Sequence, residues 1–193
     1  MKERPILFSA PMVRAILDGT KTQTRRVVKF TREPIEHPQM ADVLTARIGQ
    51  RDVWVNSQAS HPNHISKACP YGQTGDRLWV REAFHLRTGL GPVEKRLSYR
   101  ADGYLHMRGW TPSIHMPRFA SRILLEISGV RVEKLQDISP EDAEDEGVIP
   151  MTGDNYLDNL LRGFRFTWES INGPESWEAN PWVWVVEFKR VMP

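Results

Sequence analysis

Apolar positions along the chain change period several times, and each change predicts an element. Pro5 to Phe8 is a short apolar run that predicts a strand. Ser9 follows where a helix N-cap belongs, and Pro11 lies in the first turn, where a missing N–H does no harm. Met12, Val13, Ile16 and Leu17 then recur at helical spacing, so a helix is predicted over about 10–18 with Gly19 as its stop. Lys21 to Val28 is rich in β-branched residues and predicts a turn leading into a strand. From about Thr31 to Cys69 the pattern weakens. Prolines 34, 38 and 62, with His37, His61 and His64, predict an irregular insertion with one short strand near Asp52–Val55.

Gly72 to Asp76 is a turn cluster, and Leu78 to Phe84 predicts a strand. Residues 85–117 carry Gly89, Gly91, Gly103, Gly109, Pro112 and Pro117 and read as a loop, with a strand pair around Ser98–Tyr99 and His106–Met107. Phe119 to Leu135 predicts one long strand or two. Ser139-Pro140-Glu141-Asp142 is a helix start, with a capping serine and proline at the first helical position, and that helix ends at Gly147. Tyr156, Leu157, Leu160, Leu161, Phe164 and Trp168 predict an amphipathic helix over 155–171, and Trp182 to Phe188 a final strand. Strands dominate, with helices at a few junctions. The fold class expected is α+β.

Length and composition narrow the class. The chain has 193 residues, 40% hydrophobic and 26% charged, enough for one domain spanning 1–193 with a core of its own. Cys69 is the single cysteine, so no internal disulfide can form and a reducing cytoplasm is the expected setting. No apolar run approaches the ~18 residues of a membrane span. Residues 1–20 hold Glu3 and Asp18, which argues against a secretory signal. The near-neutral total conceals an asymmetry. Residues 1–136 carry 22 Lys and Arg against 12 Asp and Glu, whereas residues 137–193 carry 4 against 12. The basic part either faces a nucleic acid or nucleotide, or is neutralised by the acidic part across the fold.

The richest segment for chemistry is Gly19-Thr20-Lys21-Thr22-Gln23-Thr24-Arg25-Arg26. A desolvated lysine beside other cations has a lowered pKa and can act as a base toward a hydroxyl. In one extended strand, Lys21 and Thr24 would point to opposite faces, so that chemistry requires Lys21 to lie in the turn after Gly19. The alternative is a solvated basic hairpin edge that guards against aggregation. The acidic run Asp137, Glu141, Asp142, Glu144, Asp145 and Glu146 reads as a solvated helix face suited to the helix dipole. Glu146 is the exception, standing at the unfavourable C-terminal end. His61, His64 and Cys69 lack a second Cys or His pair and read as a loop rather than a zinc site. His115 and Arg118 are either pocket residues or a strand entry. Among seven tryptophans, Trp79 and Trp110 are candidates to stack on a base.

Gly19-x-Lys21-x-x-Thr24-x-Arg26 resembles the signature of the ASCH superfamily, small β-barrel domains related to PUA RNA-binding domains. Gly75-Asp76 before a strand, Ser121 to Glu126 opening a strand pair, Ala143 to Gly147 closing a short helix, and Val185 to Phe188 as last strand follow in the family's order. The resemblance covers about 5–29, 72–86, 118–149 and 180–192. The Ser113 to Arg118 version is similar to prophage-encoded members.

The resemblance implies a PUA-like small β-barrel with short helices and two long insertions, at about 30–71 and 87–117. Some compact members are amidohydrolases that remove the acetyl group from N4-acetylcytidine with a lysine, a threonine and a glutamate. Position by position, these fall on Lys21, Thr24 and Glu146. Arg25, Arg26, Trp79, Arg81, His115 and Arg118 are the substrate-binding candidates. No metal and no cofactor are called for, and the partner is a small nucleoside, with RNA as the alternative. Other members are RNA binders or ribonucleases, so the fold alone does not choose among activities.

Overall fold

The computed structural model describes residues 1–29, 69–88, 95–103 and 108–191, together with the backbone of three strands between 30 and 68. The elements are β1 (Glu3–Leu7), α1 (Ala10–Asp18), β2 (Gln23–Val27), β3 (Arg32–Glu36), β4 (Val43–Ile48), β5 (Arg51–Asn56) and β6 (Arg77–Arg81). They continue with β7 (Phe84–Thr88), β8 (Lys95–Tyr99), β9 (Leu124–Lys134), α2 (Pro140–Asp145), α3 (Tyr156–Asn172) and β10 (Trp182–Val191). The class is α+β. Five strands form one sheet in the order β1-β6-β9-β10-β2, with only the β1–β6 pair parallel. β1 and β2 are its opposite edges and do not pair with each other, so hydrogen bonding does not close these strands into a barrel. A side chain spans the gap instead: Arg26 donates to the Leu7 carbonyl at 2.6 Å.

Strand alternation on β10 sorts the core. Trp184, Val186 and Phe188 join Ile6, Phe8, Val13, Ile16 and Leu78 beneath α1. Val183 and Val185 face the other way and pack with Ala143 of α2 and Leu160, Phe164 and Trp168 of α3. The sheet is therefore covered on both faces near its β10–β2 end. β2 inherits the same division. Thr24 and Arg26 lie toward α1, while Gln23 and Arg25 lie toward α2 and α3.

Several sequence expectations need correction. The strand expected near Asp52–Val55 is β5, but the stretch before it is not irregular, because β3 and β4 join β5 in an antiparallel meander. The expected strand over 78–84 breaks after Arg81. The Glu82 N–H turns to the Met116 sulfur at 3.5 Å instead of a strand, and Phe84 opens a hairpin in which β7 pairs with β8. Ser98 thus pairs with His85, and His106 and Met107 lie outside the described residues. The stretch 119–135 holds a single long strand, one of the two forms expected, preceded by a 3₁₀ turn at Arg118–Ala120. Its register against β10 shifts between Glu187 and Phe188, and that irregularity moves the inward positions from the buried Leu125 and Ile127 to the half-buried Val130 and the buried Val132. A phase change inside a strand looks like two strands in the sequence.

Local signals elsewhere match the structure. The Ser139 hydroxyl caps α2 by accepting from the Asp142 N–H at 3.1 Å. Ser9 precedes α1 in extended conformation, yet its side chain makes no cap bond; only its carbonyl accepts, from Val13. No helix among the described residues is long and apolar enough to cross a membrane.

Candidate active site

The end of α1 decides where Lys21 goes. Gly19 takes the left-handed conformation (φ 80°), and the Thr20 N–H donates to the Ala15 carbonyl while Gly19 donates to Ile16. This pair of bonds is the Schellman arrangement, which turns the chain sharply away from the helix axis. The Lys21 N–H also reaches the Ala15 carbonyl, at 3.1 Å. Lys21 therefore lies in a turn before β2, as its proposed chemistry requires.

The end of α2 comes to meet it. Lys21 and Glu146 form an isolated antiparallel bridge, and the Thr22 N–H donates to the Asp145 carbonyl at 2.8 Å. Gly147 makes this approach possible. It has φ +70°, and a Cβ there would stand 2.8 Å from both the Ala15 and the Lys21 Cβ. Any side chain at 147 would push α2 off the turn.

Lys21 and Glu146 are 2% and 6% exposed. Lys21 Nζ donates to Glu146 Oε2 at 2.6 Å and to the Glu146 carbonyl at 2.8 Å. It also lies 5.8 Å from the centroid of the Phe8 ring, and the Arg26 guanidinium lies 5.3 Å from that same ring. Burial dominates the ionisation of Lys21 and holds its pKa below the ordinary 10.5. Glu146 opposes this through charge and hydrogen bonding, and Arg26 and Arg25 reinforce it.

Thr24 is 2% exposed and sits on β2 opposite Val186. Strand alternation turns it to the same side as Arg26, and Arg26 shares the Phe8 ring with Lys21. Its hydroxyl makes no hydrogen bond among the described residues, so it is not held by Lys21. A hydroxyl without a protein partner is available to a ligand. Arg26 keeps its bond to Leu7, but its Nε is buried with no partner.

Arg25 departs from its expected role as a substrate contact. It lies on the other face of β2, its side chain is wholly buried, and carboxylates occupy it. Its Nε and one terminal nitrogen donate to Glu133 Oε1 at 3.0 and 2.5 Å, and that same nitrogen donates to Asp142 Oδ2 at 2.8 Å. The other terminal nitrogen reaches Glu146 Oε1 at 3.4 Å.

Asp142 likewise departs from the solvated acidic face expected of its helix. It accepts from Gln23, Arg25 and Arg131. Burial opposes its ionisation, but those three partners outweigh it and hold the pKa below the usual 3.8. Gln23, Glu133 and Arg131 were not among the sequence candidates. The available signal was an unbroken polar run, Gln23 to Arg26, in a stretch expected to be a strand.

The remaining candidates form a separate group along β6. Trp79 lies under two guanidinium groups, those of Arg81 at 5.4 Å and Arg118 at 5.9 Å from its ring centroid. Arg81 donates to the Ile114 carbonyl, and Arg118 pairs with Glu3 at 3.0 Å. Among the described residues, none of the three is hydrogen-bonded or ion-paired to Lys21, Thr24 or Glu146. His115 is exposed on a 3₁₀ turn, Ser113–His115.

Among the described residues, no group of three or more His, Cys, Asp or Glu is placed to hold a metal ion, and His61 and His64 lie outside those residues. Cys69 is buried, and burial pushes its thiol up to about 11. Comparison with protein-family models, with curated proteins and with solved structures finds no match to this chain.

Proposed function

We propose that the chain is an ASCH-type amidohydrolase, PUA-like in fold, that removes the acyl group from N4-acylated cytidine. The observation that carries this reading is the buried Lys21–Glu146 contact at 2.6 Å, with Thr24 three residues after that lysine and itself buried. Desolvation favours neutral Lys21, which is the form able to accept a proton. Lys21 Nζ takes the Thr24 proton as Thr24 Oγ1 bonds the acyl carbonyl carbon. The proton crosses to Glu146 Oε2 and is delivered to the exocyclic nitrogen of cytosine as its C–N bond breaks. Water then hydrolyses the acyl-threonine ester, releasing the carboxylic acid and restoring the hydroxyl. Arg26, with an unused Nε, is the side chain suited to the developing oxyanion.

A second version of the chemistry draws on the contact pattern. Lys21 is bonded to Glu146 and not to Thr24. Glu146 would then activate water directly, with the Lys21 ammonium as electrophile and Thr24 orienting the substrate. Rapid quench of a turnover with N4-acetylcytidine, followed by mass spectrometry, separates the two. An acylated Thr24 supports the first version, and turnover without it supports the second.

The reading as a whole rests on turnover of N4-acetylcytidine that Lys21→Ala and Thr24→Ala abolish. Salt-sensitive binding of labelled RNA with no turnover overturns it in favour of an RNA reader, for which Trp79 with Arg81 and Arg118 is the candidate surface. Cleavage of the RNA would instead indicate a ribonuclease. A cytoplasmic setting belongs to the same proposal.

A further inference from the structure

We propose that Arg25 is the positioning residue of this site, a buried guanidinium anchored by Glu133 and Asp142 that steadies Glu146 so that Oε2 stays on Lys21. The inference rests on the reading that Lys21 and Glu146 are the reacting pair.

Its basis is an order of distances. Arg25 is bonded closely to Glu133 (2.5 and 3.0 Å) and Asp142 (2.8 Å), and only loosely to Glu146 (3.4 Å). Two near carboxylates offset the arginine charge. Glu146 is therefore left to bond Lys21 more closely, at 2.6 Å, than it bonds Arg25. A guanidinium without those anchors would draw Glu146 to itself by the same bidentate preference that makes arginine a carboxylate binder.

The anchors are themselves held. Arg131 donates to Glu133 Oε2 at 3.0 Å and to Asp142 at 2.9 and 3.1 Å, and it also pairs with Glu187. Arg25, Val185 and Arg131 stand side by side across β2, β10 and β9. Gln23 Nε2 donates to both the Asp142 carbonyl and its carboxylate, at 2.7 and 2.9 Å. Asp142 and Glu146 are four residues apart and share one side of α2. The network thus pins the helix one turn before the carboxylate that meets Lys21.

A role in packing alone and a role in positioning differ in what they do to charge at Lys21. The charged groups facing Lys21 are Glu146 from the end of α2 and Arg25 and Arg26 from β2, with the Phe8 ring between β1 and α1. Asp142→Asn keeps the shape of the anchor and removes its charge, which frees Arg25 to pull on Glu146. Arg25→Gln removes the positive charge. The two variants must move Lys21 in opposite directions, whereas general loosening would move it the same way in both.

The test follows the titration of Lys21 by its 13Cε NMR signal, alongside kcat and KM for N4-acetylcytidine. The midpoint is expected to fall in Asp142→Asn and to rise in Arg25→Gln, with kcat in Asp142→Asn reduced roughly 10- to 100-fold and KM little changed. Should Arg25→Gln not fold, the double variant Arg25→Gln/Asp142→Asn removes one charge of each sign and returns the midpoint toward that of the unaltered protein. If both midpoints stay put, or shift together, Arg25 is structural and the proposal fails. The NMR readout needs no substrate. Opposite shifts with no deacylation would retain the clamp and remove the enzyme reading, while deacylation with unmoved midpoints would do the reverse.

Discussion

The side-chain nitrogen of Lys21 is bonded to Glu146 twice, at 2.6 Å through the carboxylate and at 2.8 Å through the carbonyl. One residue thus supplies both the charge and the geometry that locate the lysine. The carbonyl bond survives any change of the Glu146 side chain, so the two contributions can be separated.

Glu146→Gln keeps that carbonyl and the side-chain shape but removes the negative charge. Deacylation is expected to drop by about 10²- to 10⁴-fold, the usual worth of a positioned acid or base. Steady-state kinetics on N4-acetylcytidine check it. Removing one partner of a buried pair also costs about 3 kcal/mol, which a urea titration reads directly.

The lowered Lys21 pKa fixes the sign of two pH effects. If Lys21 is the base, kcat/KM rises with pH through a midpoint below the ordinary 10.5, because the neutral lysine is the active form. Stability moves in the same direction. Between the lowered folded value and 10.5 the unfolded chain binds more protons, so stability gains as pH rises through that window and is lost as pH falls through the folded value. A pH–rate profile and melting temperatures across the alkaline range test both, and Lys21→Met should remove this pH dependence of the melting temperature.

Asp142 acts at the other end of the scale. Its folded pKa lies below 3.8, so its contribution is present above that value and lost as pH falls through the folded one. Acid unfolding is expected to begin at a higher pH in Asp142→Asn, measured by circular dichroism. No displacement of that transition would argue against the network with Gln23, Arg25 and Arg131.

Gly147→Ala should cost far more than Gly19→Ala, although both sites have positive φ. At Gly19 an added Cβ meets nothing within 4 Å, and the left-handed conformation alone costs about 1 to 2 kcal/mol. At Gly147 the same methyl stands 2.8 Å from Ala15 and Lys21 Cβ, adding about 1 to 3 kcal/mol of overpacking. Deacylation should fall only in Gly147→Ala, since only there is the Lys21–Glu146 contact forced apart. Comparing melting curves with activity distinguishes the two effects.

Gly163→Ala probes the packing behind the site. A Cβ there would come 2.5 Å from the Ile149 carbonyl, displacing the 149–150 segment from α3. A loss of about 1 to 3 kcal/mol is expected in urea unfolding. An unchanged midpoint would mean that this segment is free to move aside.

Elements with strong local signals were legible: α1 with its Gly19 stop, α2 behind Ser139-Pro140, and α3 from its apolar spacing. Hairpins were not. β3 to β5 and β7 to β8 draw their stability from pairing between strands, and single-residue propensities register that poorly. The bulged β9 read equally as one strand or two because one shifted register reverses which positions look buried. Asp142 read as one solvated acid among several, since a helix carrying many acids does not announce which of them faces a buried arginine.

Local turns are written in the order of residues alone: a helix, a left-handed glycine, then a lysine, a threonine and two arginines entering a strand. Packing of distant segments brings Lys21 to a carboxylate 125 residues away and turns Arg25 to the helices, on the face of β2 opposite Thr24. The reason is physical. A turn depends on the conformational preferences of a few adjacent residues, whereas a buried ion pair forms only where two distant backbones pack close enough to exclude water, here across the missing side chain of Gly147.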